Sequence, residues 1–260
     1  MKKKIAMIQM DIVYGEPKAN IKRAKSEIAN AVKTGAEIIL LPELWTTGYD
    51  LTRLDEIADK DAQVSIAFLS ELAKESNVTL IGGSVAEQCD DGVRNTLLVI
   101  DQKGKLIHKY SKLHLFQLMD EHLYLERGED EAEFTLDGEP AAGYICYDIR
   151  FPEWMRKSAV NGAKVMYVVA EWPKPRIDHW RTLLQARAIE NQCYVVACNR
   201  IGADPKNEFG GMSLVVDPWG KIVAEGGSGE EIVTATVDYE LVDEVRGRIP
   251  VFQDRIVEKY

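Results

Sequence analysis

The sequence has few cysteines and no long apolar run, and each absence excludes a class of protein. Its cysteines are Cys89, Cys146, Cys193 and Cys198, and no two of them form a C-x-x-C pair. A disulfide framework or a zinc site is therefore not expected, and this cysteine usage is typical of a reducing compartment. No apolar segment approaches the roughly 20 residues that a membrane-spanning helix needs.

The sequence has no surplus of basic residues, and we expect no secretory signal. The basic start of the chain is followed by residues 5–11, which are too few and too polar for the apolar region of a signal peptide. The net charge of −10 argues against nucleic acid as a main partner, because phosphate binding needs a basic face. We therefore expect a cytoplasmic protein that binds neither nucleic acid nor a membrane.

Apolar content and strand–helix alternation are what the sequence does have. Hydrophobic residues make up 46% of 260 positions, and no linker interrupts them, so we expect one domain over 1–260. Strand, helix, strand, helix and hairpin follow one another twice, from Lys4 and again from Ala141. This order predicts an α/β fold with four layers, an α-β-β-α sandwich. The predicted strands are 4–10, 37–41, 78–85, 95–100, 105–110, 141–145, 164–170, 193–198, 213–216, 221–224 and 231–237, and the helices are 20–33, 62–76, 153–160 and 178–191.

Two segments show no regular period. Residues 111–130 are dense in ionisable side chains, and a long irregular stretch inside a compact domain is often functional. The tail from Val245 mixes apolar and charged residues. We predict that the tail, about 240–260, lies at a subunit interface.

Cys146 stands at the carboxyl end of a predicted strand, shortly before a helix that Pro152 begins. Ligands of open α/β sheets bind at such strand ends, and a nearby helix N-terminus favours a thiolate over a thiol. These features favour a nucleophilic cysteine. The alternative is that Cys146 is a small buried hydrophobe, which is the commoner fate of a free cysteine.

Glu43 and Lys112 occupy comparable positions, each just after a predicted strand. A carboxylate grouped with a thiol could act as its general base, and an ammonium could stabilise an oxyanion and keep the cysteine nucleophilic. Taken singly, each residue would be interpreted as an ordinary surface or core side chain. Only their combination indicates a catalytic site.

Three segments in which these residues stand resemble the signature blocks of the nitrilase, or carbon–nitrogen hydrolase, superfamily, in matching order and spacing over nearly the whole chain. The helix segment 187–191 is also similar to a motif of that family. The three blocks are Leu41-Pro-Glu43, Tyr110-Ser-Lys112-Leu-His-Leu-Phe116 and Cys146-Tyr-Asp-Ile-Arg150-Phe-Pro-Glu153.

The resemblance implies an α-β-β-α sandwich that forms homodimers, or higher homo-oligomers, through its catalytic layer. It also implies a catalytic triad of Glu43, Lys112 and Cys146. The reaction of such a triad needs no metal or organic cofactor. The family has a further active-site glutamate after the lysine. Glu121 is the candidate here, and Glu126 is the alternative because loop lengths vary in this region.

Within the superfamily, the lysine block and Glu171-Trp-Pro are most similar to bacterial ω-amidases, some of which accompany methionine salvage. Those enzymes release ammonia from 2-oxoglutaramate or 2-oxosuccinamate. Their substrates carry a carboxylate, so we expect Arg150 and Arg176 as binding cations. Arg150 could instead form a structural salt bridge with Asp148 or Glu153. Trp172 is expected either to wall the pocket or to belong to the core.

The implied reaction is acyl transfer. Cys146 attacks the amide carbonyl, and Lys112 and the backbone N–H of Tyr147 hold the oxyanion. Glu43 or Glu121 protonates the departing ammonia, and water activated by Glu43 hydrolyses the thioester. Related enzymes often carry an amide-bearing residue at the position of Glu171, so its local hydrogen bonding is open.

Other members of the superfamily give the alternative functions. An N-carbamoyl-amine hydrolase or an aliphatic amidase would have no use for two cations in its pocket. A true nitrilase is disfavoured because the lysine block lacks the proline that those enzymes usually show. A catalytically silent scaffold is disfavoured because all three triad residues are present.

Overall fold

The computed structural model describes residues 1–259. The α-helices are α1 Pro17–Lys33, α2 Leu54–Ile57, α3 Gln63–Ser76, α4 Glu121–Tyr124, α5 Pro152–Val160, α6 Ile177–Asn191 and α7 Tyr239–Arg248. The strands are β1 Lys2–Gln9, β2 Ile38–Leu40, β3 Asp59–Lys60, β4 Thr79–Cys89, β5 Gly92–Ile100, β6 Leu106–Ser111, β7 Glu133–Leu136, β8 Glu139–Ile145, β9 Val165–Ala170, β10 Tyr194–Asn199, β11 Ile201–Ala203, β12 Glu208–Gly210, β13 Leu214–Val216, β14 Ile222–Glu225 and β15 Glu231–Asp238.

Two mixed sheets contain most of the strands. The first has the order β15-β1-β2-β4-β5-β6, with the short β3 beside β4, and its parallel strands β1, β2 and β4 are separated in sequence by helices. The second has the order β14-β13-β10-β9-β8-β7, with β8, β9 and β10 parallel. Helices α1 and α3 pack on the first sheet, and α5 and α6 pack on the second. The two halves therefore repeat one topology, as the order of predicted elements indicated.

Burial along β1 shows how the layers stack. Ile5 and Met7 belong to the core that the two sheets share, whereas Ala6 and Ile8 belong to the core beneath α1 and α3. A strand buried on both faces needs a continuous apolar run, which is what this segment has. Helices α5 and α6 cover the opposite face of the second sheet. The arrangement is the expected α-β-β-α sandwich.

Several elements depart from the expectations, among them β7 and α7. Strand β7 was not predicted, and only Phe134 and Leu136 of its four residues are buried. Helix α7 extends to Arg248, so the tail is not irregular from Val245. Its buried residues are few and stand among charged ones, which hides the helical period. Part of the predicted interface tail, residue 260, lies outside the described residues.

The last strand, β15, forms one edge of the first sheet. Strand β15 pairs antiparallel with β1 along its whole length, from Lys2 opposite Asp238 to Gln9 opposite Glu231. This pairing brings together the first and the last strand of the chain, and no local pattern predicts it. None of the helices in residues 1–259 combines the length and the hydrophobicity that a membrane crossing requires.

Candidate active site

Three strand ends bring Glu43, Lys112 and Cys146 together. Glu43 follows β2, Lys112 follows β6 directly, and Cys146 follows β8 directly. All three side chains are buried. Because β2 and β6 belong to one sheet and β8 to the other, the residues meet where the two sheets face each other.

Lys112 holds two carboxylates at once. Its Nζ donates hydrogen bonds to Glu43 Oε1 at 2.8 Å and to Glu121 Oε1 at 2.6 Å, with all three side chains inaccessible to water. Burial by itself would lower the pKa of Lys112, but the charges of Glu121 and Glu43 outweigh that effect and raise the pKa well above its usual value. The ammonium group is therefore charged at neutral pH.

Glu121, and not Glu126, joins this cluster. Its second oxygen accepts a hydrogen bond from the Phe116 N–H at 2.6 Å, which fixes the start of the irregular loop. Burial raises the pKa of Glu121, the charge of Lys112 lowers it, and the charge of Glu43 raises it, with a net increase. Glu126 is exposed on the surface.

Cys146 occupies a tight turn. Its φ of +44° lies in the left-handed region, which costs a non-glycine residue roughly 1–2 kcal/mol. Burial and the neighbouring charge of Glu43 raise the pKa of the thiol well above its usual value, against a lowering effect of Lys112. The expectation of a thiolate favoured by a helix N-terminus is therefore wrong. Removal from water dominates, and a short 3₁₀ helix over Cys146–Arg150 separates the thiol from α5.

Asp148 and Arg187 fix the Cys146 turn from two sides. Buried Asp148 accepts hydrogen bonds from the Ile145 N–H at 3.0 Å and the Tyr110 hydroxyl at 2.9 Å. Its other oxygen lies 2.8 Å from Nδ1 of His114, two residues after Lys112, so one carboxylate ties the cysteine turn to the lysine loop. Arg187 on α6 donates from Nε to the Ile149 carbonyl at 2.9 Å.

Glu43 has further partners that sequence reasoning missed. Asn95 Nδ2 donates to Glu43 Oε1 at 2.8 Å, and the Tyr49 hydroxyl lies 3.0 Å from the same oxygen. The backbone N–H of Glu171 donates to Glu43 Oε2 at 2.8 Å. Neither Asn95 nor Tyr49 stands in a recognisable motif, so no local signal could have identified them.

A narrow cleft lies beside Cys146. Its free volume is about 10 Å³, room for roughly one water molecule. All four residues that the sequence predicted to bind substrate contribute to it. The lining consists of Phe116, Cys146, Tyr147, Arg150, Trp172, Pro173 and Arg176.

Both arginines face this cleft without a carboxylate partner. The guanidinium of Arg150 lies 4.8 Å over the ring of Trp172 and 3.3 Å from Nδ1 of His179. Arg176 lies 5.6 Å over the ring of Phe116. Within residues 1–259 neither forms an ion pair, so the alternative of a structural salt bridge from Arg150 is wrong. Asp148 is already engaged in the Cys146 turn.

Trp172 satisfies both of its expected roles. Its side chain is buried and packs against Trp180, with ring centroids 5.5 Å apart, and it also lines the cleft. Its Nε1–H donates to the Arg176 carbonyl at 2.7 Å. The indole therefore holds the loop that carries the second arginine.

Glu171 is a buried acid next to the cluster of Glu43, Lys112 and Glu121. Its Oε2 accepts a hydrogen bond from Arg200 Nη1 at 2.9 Å, while Oε1 has no partner among the described residues. Burial raises the pKa of Glu171 to about 8 although the charge of Arg200 lowers it. This answers the open question about its hydrogen bonding: its side chain faces Arg200, and only its backbone contacts Glu43.

Comparison with known proteins gives a consistent result. The family model described as carbon-nitrogen hydrolase matches residues 4–247. The chain is 53% identical over 254 residues to a 2-oxoglutaramate amidase of Bacillus subtilis, which covers 98% of each chain. It is 34% identical to Omega-amidase YafV of Escherichia coli K12, covering 96% of each.

A solved structure agrees with the sequence relatives. The crystal structure of Saccharomyces cerevisiae Nit3, described as a member of branch 10 of the nitrilase superfamily, superimposes with a TM-score of 0.91 at 32% identity. The match covers 98% of this chain and 97% of that one. The similarity therefore extends over both sheets and both helix layers.

Proposed function

The chain belongs to the carbon–nitrogen hydrolase family, and from that premise we propose that it is an ω-amidase. It hydrolyses the terminal amide of a small 2-oxo dicarboxylic acid monoamide, 2-oxoglutaramate or 2-oxosuccinamate, and releases ammonia through a thioester on Cys146.

The observation that carries this proposal is that two arginines line the cleft beside Cys146 and neither forms an ion pair within residues 1–259. The guanidinium groups of Arg150 and Arg176 each lie over an aromatic ring, and neither has a carboxylate partner among the described residues, although Arg150 also contacts His179. A substrate carboxylate supplies the missing partner, and a planar guanidinium can bind it through two parallel hydrogen bonds. Neutral amides and N-carbamoyl amines offer no such anion. A pocket for them would leave two cations uncompensated.

The first half-reaction begins with a protonated thiol. Glu43 accepts the proton of Cys146 as Sγ forms a bond to the amide carbon, so thiolate character arises only during attack. Lys112 donates to the two carboxylates and has one further N–H for the oxyanion, together with the backbone N–H of Tyr147. Glu43 then passes its proton to the nitrogen. The C–N bond breaks, and ammonia leaves behind a thioester.

The second half-reaction repeats these steps with water. Glu43, again ionised, removes a proton from a water molecule that attacks the thioester carbon. The tetrahedral intermediate is held by the same donors. It collapses by breaking the C–S bond, and Glu43 returns the proton to Sγ. The carboxylic acid leaves, and neither a metal nor an organic cofactor takes part.

A substrate panel tests the proposed activity. Ammonia release is measured from 2-oxoglutaramate, 2-oxosuccinamate, glutamine, an N-carbamoyl amine, an aliphatic amide and an aliphatic nitrile. We expect the two 2-oxo acid amides to have the highest kcat/KM. Higher kcat/KM on the carbamoyl or neutral amide would discard the substrate assignment while retaining the acyl-transfer chemistry.

We also propose that the enzyme is a homodimer, joined through α5, α6 and the C-terminal tail. A groove of about 860 Å³ runs between α5 and the tail, with Val160 and Val251 in its lining. Ile189 and Ile249 are about half exposed and line an adjoining cavity together with Val251. Apolar groups clustered on one face are typical of a protein–protein interface.

Light scattering tests the dimer. Ile189→Asp places a charge in the proposed interface, and we expect it to shift the mass toward the 29.2 kDa monomer. Val64 is an exposed residue of α3, in the opposite helix layer. Val64→Asp is therefore the matched control and should keep the wild-type mass. A monomeric wild-type protein would contradict the proposal.

A further inference from the structure

Tyr49 stands between the two buried carboxylates of the site. Its hydroxyl oxygen lies 3.0 Å from Glu43 Oε1 and 2.6 Å from Glu121 Oε1, and the residue is only 7% exposed. A phenol has one hydrogen, so it can donate to only one of these oxygens. If both carboxyl groups were ionised, the other contact would bring two oxygens together with no hydrogen between them. One carboxyl group must therefore carry a proton.

Hydrogen-bond donors indicate which group carries it. Glu43 accepts three N–H groups, from Asn95, Lys112 and the backbone of Glu171. Glu121 accepts only two, from Lys112 and the backbone of Phe116. A carboxylate with more donors is the better stabilised anion. The raised pKa of Glu121 agrees with this assignment.

We propose that Tyr49 is a positioning residue for the hydrolysis, which donates its hydrogen to ionised Glu43 and accepts one from protonated Glu121. The inference rests on the proposed function and specifies which groups of its site carry a proton. Ionised Glu43 is then ready as the base. Neutral Glu121 leaves Lys112 with one counter-charge instead of two, so the buried cluster carries no net negative charge that would oppose an oxyanion.

The groups that determine this balance come from several elements. The charged and titratable side chains that face Tyr49 are Glu121, Glu43, Cys146 and Glu171. Lys112 faces both carboxylates, and Arg200 faces Glu171. Tyr49 also lines a cavity of about 250 Å³ that does not include Cys146 or either cleft arginine. Removing its hydroxyl therefore leaves the substrate contacts in place.

The first test is Tyr49→Phe, assayed on whichever amide the wild-type enzyme hydrolyses best. We expect kcat to fall about tenfold or more with KM within about twofold. The acidic limb of the kcat/KM profile should move to higher pH, because Glu43 loses a donor that favours its ionised form. Tyr14→Phe is the matched control, since Tyr14 lines the same cavity and its hydroxyl bonds Asp50. Its profile should equal that of the wild type.

A second variant gives the opposite shift and does not depend on removing the hydroxyl. Replacing Tyr49 with 3,5-difluorotyrosine makes the phenol a stronger donor and a weaker acceptor. The acidic limb should then move to lower pH. Shifts in opposite directions for the two variants support the proposal, whereas a profile unchanged in both would overturn it. Slow wild-type turnover of the 2-oxo acid amides would contradict only the substrate assignment, because the profiles are measured on the best amide.

Discussion

Nζ of Lys112 lies 2.6 Å from Oε1 of Glu121, and water reaches neither side chain. Taking the charge of Lys112 out of water costs several kcal/mol, which only a close opposite charge and hydrogen bonds can offset. Here Lys112 satisfies Glu43 as well, so one ammonium group supports two buried acids. The stability of the site and its chemistry therefore depend on the same contact.

Lys112→Met should abolish activity and lower the free energy of unfolding by about 3–5 kcal/mol at pH 8, because it leaves buried carboxylates without their cation. The charge of Lys112 lowers the pKa of Glu121, so without it that pKa rises further above its unfolded value. The loss should be smaller at pH 5, because a protonated carboxyl group needs no counter-ion. Urea unfolding at both pH values measures this. Lys157→Met, which breaks an exposed pair with Glu131, should cost at most about 1 kcal/mol.

Cys146→Ser should lower kcat by roughly a thousandfold or more, because the hydroxyl is a weaker nucleophile in the same position. Its circular dichroism spectrum should match that of the wild type. The control is Cys89→Ser, at a cysteine remote from the cluster that is partly exposed. Substantial turnover by the Cys146→Ser variant would remove the thioester from the mechanism.

Arg150→Ala should raise KM for 2-oxo acid amides roughly tenfold to hundredfold, the effect of losing a charged hydrogen bond. Arg176→Ala should act in the same direction, and kcat should change less than KM in both. Steady-state kinetics measures the two constants. Arg181→Ala, which removes an exposed arginine paired with Glu225 on the surface, is the matched control. Equal KM values in the wild type and all three variants would refute the proposal that Arg150 and Arg176 bind the substrate carboxylate.

Glu171→Gln should change the pH dependence of stability. The pKa of Glu171 is raised from 4.5 to about 8 in the folded protein, so its contribution is fully present below pH 4.5 and is lost as the pH rises to about 8. Between these values the free energy of unfolding should fall by up to about 1.4 kcal/mol per pH unit relative to the variant. Parallel curves for wild type and variant from pH 5 to 8 would show that Glu171 is ionised throughout.

The positions of Cys146, Lys112 and Glu43 just after strands could be predicted from the sequence. Each follows a strand whose apolar run is visible locally, and each stands in a block that resembles the family's motifs. The four-layer fold could be predicted for the same reason, because periodicity and turn residues act over short stretches. The tail helix could not, since its few buried residues stand among charged ones.

Contacts between distant segments were decided by the tertiary structure alone. Tyr49 meets Glu121 across 72 residues, and the Glu171 backbone meets Glu43 across 128. No local period encodes such distances; they arise when the two sheets pack face to face. The same packing placed Glu121, and not Glu126, beside Lys112. It also raises the pKa of the Cys146 thiol, because burial and neighbouring charges, which determine a pKa, exist only in the folded chain.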